Sequence, residues 1–333
     1  MMLNVVVPYS KLSLLLLTFL ALPVHSVPKG DRATDNKAAT TSGNGNRKVT
    51  AASDGSMILD KTVTINGLPI RYKVSAPADQ FTSSSGVPGA SAQPKTTGAN
   101  GLNVLLHGDG GQSFKDFPNQ AVQDGLMGVV VLAPNNMRFW GGGSGLQRTD
   151  GEAHAAAVNS LIQDQLPQDV AFDPTKVFFT GVSGGSLLLS GFFVPAYGDK
   201  YKTGVLLNCG ALRPQVAVAN GSDMIANMKI HFQSTKKELT QLQPELPKAI
   251  SAYQKIATDA GLSADQIGKL QTVDNTPNGG HCEFDGQDFV SGVQLMSSNY
   301  ANIMGDKASG NVQGIGNVLT SVVGNEKLKF TGG

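Results

Sequence analysis

The stretch FFTGVSGGSLLLS, Phe178–Ser190, runs from aromatic and β-branched residues, through a serine between Gly181 and Gly185, into a leucine run. That order of residue types predicts a strand, a tight turn and a helix. A serine on such a turn stands clear of both elements, which is how a G-x-S-x-G elbow presents a nucleophile. In a chain of 333 residues with 40 glycines, one G-x-S-x-G can equally be an ordinary glycine-rich loop. The flanking sequence discriminates between the two.

Short apolar runs surround the elbow on both sides. LNVLLHG (102–108) and GVVVLAPNN (128–136) precede it; TGVLLNCGA (203–211), MKIHFQS (228–234) and KLQTVDN (269–275) follow. Val129–Leu132 is apolar throughout, as suits a strand buried on both faces. Between these runs, GEAHAAAVNSLIQDQL (151–166), LPKAISAYQKIATDAG (246–261) and GQDFVSGVQLMSSNYANIM (286–304) have helical composition. Ahead of them, KTVTINGLPIRYKVSAP (61–77) alternates about Asn66-Gly67 and reads as a β-hairpin. The expected fold is α/β: a mostly parallel sheet with helices on both faces, entered through an N-terminal hairpin. Ligands gather outside the carboxyl ends of such strands. The loops there read HGDGG, APNNMRFWGGG, GVSGG, NCGA, QSTKKE and DNTPNGGHCEF.

The N-terminus sets the compartment. Lys11 precedes an apolar run from Leu12 to Leu22, and Val24-His25-Ser26 offers a processing site. Residues 1–26 read as a secretory signal, too short for a membrane anchor. Residues 27–56, rich in Ser, Thr, Asn and Gly, read as a flexible polar leader. Residues 57–333 are then one catalytic domain of an extracellular protein. A net charge of +1 argues against nucleic acid or an anionic membrane as partner. Cys209 and Cys282 are the cysteines of the chain; an exported protein with two is expected to bridge them, the alternative being two buried thiols. No zinc-type spacing is present, so a structural metal is not expected.

A serine hydroxyl needs a base, and an α/β-hydrolase arranges its triad in chain order serine, acid, histidine. After Ser183 come His231, inside an expected strand, and His281, in the glycine-rich NGGHCEF loop. His281 is therefore the expected base. Glu238, just past the MKIHFQS strand, is the expected acid, with Asp274 at the end of the next strand as the alternative. The Gly184 N–H and, in the HGDGG loop, the Asp109 N–H are the expected oxyanion donors, Gly110 standing next. His107 reads as structural. A Cys209–Cys282 bridge would tie the His281 loop to the sheet beside Ser183.

As an ordered set, these pieces resemble the secreted α/β-hydrolase esterases of the polyhydroxyalkanoate depolymerase and feruloyl/acetylxylan esterase group. The resemblance spans about residues 103–284: the HG loop, Trp140, the Arg148–Glu152 run RTDGE, Asp173-Pro174, Gly181–Gly185 and Gly280-His281-Cys282. Two features depart from that group: Ser183-Gly184-Gly185-Ser186 in place of S-x-G-G, and a glutamate where an aspartate is usual. The resemblance implies ester hydrolysis without a metal or organic cofactor, through an acyl-enzyme on Ser183. The substrate would be a plant-wall feruloyl or acetyl ester, or an aliphatic polyester. Trp140 is either a wall of the substrate site or a core residue. The competing readings are a lipase or peptidase of the same fold, or a secreted binding or effector protein that kept the scaffold without turnover.

Overall fold

A computed structural model of the chain describes residues 47–52, 54–143 and 145–331. The expected signal (1–26) and residues 27–46 of the expected leader lie outside the described residues. In chain order the strands are β1 (Arg47–Ala51), β2 (Met57–Ile65), β3 (Leu68–Ala76), β4 (Gly101–Leu106), β5 (Val122–Gln123), β6 (Leu126–Leu132), β7 (Val177–Val182), β8 (Gly204–Asn208), β9 (Lys229–Gln233) and β10 (Gln271–Asp274). Three two-residue strands follow: β11 (Asn311–Val312), β12 (Gly316–Asn317) and β13 (Thr320–Ser321).

The main sheet runs β1-β2-β3-β6-β4-β7-β8-β9-β10-β13, with β5 beside β6. From β6 to β10 every neighbouring pair is parallel. β3 is antiparallel to β6 and also to β2, where Asn66 (φ 51°) and Gly67 (φ 78°) close the β2–β3 hairpin in the left-handed turn that Asn-Gly favours. The chain passes from β3 over the place of β6 to β4, returns to fill that place, and then crosses β4 to β7, which puts the Ser183 turn near the middle of the sheet. This is the α/β-hydrolase fold.

The two faces of the sheet carry different cores. Val104, Leu106, Phe179, Leu207, Ile230 and Phe232 point to one face and share a cluster with Leu187, Ile250 and Tyr253 of the covering helices. Alternate residues point the other way. Val182 and Leu206 pack under Val293, Met296 and Ile303, and Leu105 and Val130 pack under Phe114. The 151–166 helix reading becomes Gly151–Ser160, a π-type turn over Leu161–Gln165, and a last turn Leu166–Asp169. The C-terminal helix begins at Phe289, where Asp288 caps it by accepting from the Ser291 N–H at 2.8 Å.

One boundary differs from the sequence expectation. Arg47–Ala51, counted within the leader by composition, is strand β1, paired antiparallel with β2. Its backbone groups find partners in the exposed edge of β2, and Val49 alone is buried. A strand held mainly by ladder hydrogen bonds needs little apolar sequence.

Candidate active site

Ser183 follows β7 directly and sits at φ 49°, ψ −113°, a backbone conformation that a residue with a Cβ adopts only when its surroundings impose it. Here the Ser183 N–H donates to Asn208 O at 2.8 Å, and Ser183 O accepts from the Leu187 N–H at 3.0 Å. Close packing makes the flanking glycines necessary. A Cβ on Gly185 would lie 2.0 Å from Leu106 O, and one on Gly181 would lie 2.6 Å from Ser186 Cα. Both contacts are with backbone, which cannot swing aside.

His281 reaches the serine from the loop after β10. Its Nε2 lies 2.8 Å from Ser183 Oγ, and its Nδ1 is hydrogen-bonded to Glu238 Oε1. A carboxylate oxygen can only accept, so Nδ1 carries the proton and Nε2 is free to accept from the serine hydroxyl. The imidazole is partly exposed while Glu238 is fully buried. Glu238 is held by the Leu239 N–H on Oε1 at 2.7 Å and the Ser234 hydroxyl on Oε2 at 3.1 Å. The His281 loop is pinned by Thr235 Oγ1 donating to Gly280 O at 3.0 Å and by the Gly280 N–H donating to Glu283 Oε2 at 2.7 Å. A disulfide joins Cys282 to Cys209, their Cα atoms 5.2 Å apart.

The alternative acid is engaged elsewhere. Asp274 Oδ2 accepts from Gln233 Nε2 at 2.7 Å and Oδ1 from the Thr276 N–H at 2.9 Å. Gln233 Oε1 in turn accepts from His231 Nε2 at 3.1 Å, and His231 Nδ1 lies 2.9 Å from Thr272 Oγ1. His231 is wholly buried, and that burial pushes its pKa down to about 4. It is a neutral sheet residue.

The expected oxyanion donors lie side by side. A Cβ built on Gly184 would come within 3.3 Å of the Asp109 backbone nitrogen. Among the described residues neither the Gly184 nor the Asp109 N–H donates a hydrogen bond, whereas the Gly110 N–H is spent on Arg138 O at 3.1 Å. His107 fixes the start of this loop. Its Nδ1 donates to Gly108 O at 2.6 Å, and its Nε2 accepts from the Ala133 N–H at 2.9 Å. Burial lowers its pKa to about 4, so the neutral tautomer that makes both bonds persists.

Of the two readings of Trp140 the structure favours the core one: it is fully buried, its ring 5.4 Å from that of His107 and 6.1 Å from that of His154, and it does not line the cavity beside Ser183. The residues that do line the cavity beside Ser183, of about 240 Å³, include Leu187, Leu239, Leu242 and Phe289 with Asp109 and Arg148. These apolar residues come from three separate segments, and no local pattern in the sequence marks them as neighbours. Arg148 forks onto the Asp109 carboxylate, Nη1–Oδ1 at 2.9 Å and Nη2–Oδ2 at 2.7 Å, a partnership across 39 residues that spacing does not reveal. A larger cavity, about 730 Å³, opens among Asn103, Lys176, Thr203 and Lys229 at the amino ends of the strands. Among the described residues no serine–histidine pair lines it.

Cys209, Cys282 and His281 also bring three ligand-type atoms within 4.8 Å of one another. Joined in the disulfide, neither sulfur is a thiolate ligand, and both ring nitrogens are engaged with Ser183 and Glu238, so the cluster is not set up to hold a metal.

The fold and this geometry together define an α/β-hydrolase scaffold with a serine–histidine–glutamate hydrogen-bonded chain. No protein-family model matches the sequence, and no curated protein matches it. Among solved structures, the chain is similar to a serine-to-alanine variant of the feruloyl esterase module from Clostridium thermocellum complexed with sinapinate. That likeness has TM-score 0.43 and 11% identity, over 74% of this chain and 88% of the other. It is also similar to the BES protein from Bacillus cereus, with TM-score 0.42 and 10% identity over 71% and 94% of the two chains. A third is a cold-adapted esterase from an Arctic intertidal metagenomic library, with TM-score 0.40 and 14% identity over 77% and 98%. What the site can do follows from this chain's own geometry.

Proposed function

We propose that this chain is a secreted serine carboxylic-ester hydrolase. The observation that carries the reading is the hydrogen-bonded chain Ser183–His281–Glu238 at the edge of a cavity, beside two backbone N–H groups without partners among the described residues. His281 Nε2 takes the Ser183 proton as Oγ attacks the ester carbonyl. Glu238 holds the ring by Nδ1 and stabilises the imidazolium. The Asp109 and Gly184 N–H groups donate to the developing oxyanion. His281 returns its proton to the departing alcohol, leaving an acyl-enzyme on Ser183. Water activated by the same imidazole then releases the acid and restores the serine. No cofactor enters any of these steps.

The substrate class we infer is a plant-wall feruloyl or acetyl ester, or an aliphatic polyester. Apolar Leu187, Leu239, Leu242 and Phe289 about the nucleophile favour an uncharged acyl group, and about 240 Å³ favours a small one. Secretion is supported by the signal-like N-terminus and by the disulfide. Hydrolysis of p-nitrophenyl acetate and butyrate by wild type and Ser183→Ala is the test, followed by feruloyl, acetyl-sugar and hydroxybutyrate esters. Folded wild type without turnover on all of them overturns the reading.

A further inference from the structure

Asp109 brings a carboxylate to the place where negative charge would develop. Its Oδ1 lies so close to Gly184 that a Cβ there would come within 2.1 Å of it, and its own backbone N–H is one of the two proposed oxyanion donors. A bare carboxylate at that spot opposes an oxyanion, and with its side chain 25% exposed the Asp109 charge is screened by solvent only in part. Arg148 is its ion-pair partner among the described residues, in the forked geometry that suits a carboxylate. The guanidinium is itself buried, and Nη1 also donates to Trp140 O at 2.9 Å. Trp140 is fixed between His107 and His154, and His154 Nδ1 accepts from the Gly141 N–H at 2.8 Å. Arg138, the other cation near this loop, turns instead to Asn135 O.

Resting on the hydrolase reading above, we propose that Arg148 is a positioning residue: it cancels the Asp109 charge and holds the loop that offers the Asp109 N–H, so that the oxyanion forms in a neutral setting. The buried Trp140 belongs to this device as the support of the arginine. A purely structural clamp predicts that losing either partner does similar harm. A charge-cancelling one predicts an asymmetry, since Asp109→Asn removes the offending charge while Arg148→Met exposes it.

The experiment compares wild type, Ser183→Ala, Arg148→Met, Arg148→Lys, Asp109→Asn and the double variant Asp109→Asn/Arg148→Met. The readouts are kcat and KM for p-nitrophenyl acetate, the rate of fluorophosphonate labelling, and the thermal midpoint. Arg148→Met should lose about 100-fold in kcat and in labelling rate, the scale of one lost oxyanion donor, with KM little changed. The double variant should recover roughly tenfold of that loss, and Arg148→Lys, which keeps the charge without the fork, should fall between wild type and Arg148→Met. A double variant as slow as Arg148→Met, or Asp109→Asn at least as slow, overturns the inference. If wild type is inert to both ester and fluorophosphonate, the hydrolase reading fails and this inference falls with it. If wild type reacts at Ser183 and only the recovery is missing, this inference falls alone.

Discussion

Two histidines follow Ser183 in the chain, and each is linked by hydrogen bonds to a carboxylate. His281 touches Glu238 directly and keeps its other nitrogen for Ser183. His231 reaches Asp274 only through Gln233, and its second nitrogen is closed by Thr272. One ring lies on a loop at the mouth of a cavity; the other is sealed inside the sheet. A catalytic base must gain a proton in mid-reaction, so it needs an anion behind it and a reactive atom before it. His231 has a neutral amide behind it and a hydroxyl before it. The same residue types therefore make a chain to a serine hydroxyl at a cavity in one place and a strut in the other, and what separates them is which partner is charged and whether the ring can be reached.

The comparison breaks most sharply on the reacting atoms. Ser183→Ala and His281→Ala should each lower kcat by about 10⁶-fold, as when a member of a mutually dependent triad is lost, with folding intact by circular dichroism. If His231→Asn lowered kcat as far in folded protein, the two histidines would have been assigned the wrong way round. Next in size is the pair of carboxylates. Glu238→Gln should cost about 10⁴-fold in kcat, because an amide no longer enforces the Nδ1–H tautomer. Asp274→Asn keeps an acceptor for Gln233, so kcat should stay within about threefold and stability should fall by about 1 kcal/mol. Equal kinetic losses in the two would erase the distinction.

The disulfide is the next test. Replacing Cys209 and Cys282 together by serine should destabilise by about 2–5 kcal/mol in denaturant unfolding. It should also lower kcat, since Cys282 adjoins the proposed base. An unchanged kcat in the folded variant would mean that Thr235 and Glu283 suffice to hold the loop.

Acid sharpens the contrast last. Burial lowers the pKa of both His231 and His107 from 6.5 to about 4. Below pH 6.5 the unfolded chain takes up protons at these sites that the native state refuses, so stability is complete above pH 6.5 and is lost as pH falls towards 4. Each ring contributes roughly 3 kcal/mol to that loss when it is complete. His154 is lowered by burial as well, so His231→Asn should remove one share of the loss, read as a shallower fall of the unfolding midpoint between pH 6.5 and 4.5. A slope unchanged from wild type would mean that His231 is charged in the folded protein.

The positions of the central strands along the chain were largely legible, because strands buried on both faces are written as continuous apolar runs and punctuated by glycine; their order in the sheet was not. The positions of Ser183, Glu238 and His281 could be read as loop positions after particular strands, with chain order doing the selection. Trp140 could not be assigned, because its burial depends on His107 and His154, which reach it from distant segments. β1 was missed because its stability comes from pairing with β2 and leaves almost no apolar trace. The Arg148–Asp109 pair was invisible as a pair for a related reason: RTDGE and HGDGG each read as local motifs, and only the folded chain sets one against the other.

The most direct test of the acyl-transfer site is mass-spectrometric mapping of a fluorophosphonate adduct on the mature protein. Stoichiometric adduct on Ser183, lost in His281→Ala and slowed by Glu238→Gln but not by Asp274→Asn, is the expected result. Folded wild-type protein that stays unlabelled at Ser183, or is labelled at another serine, contradicts it.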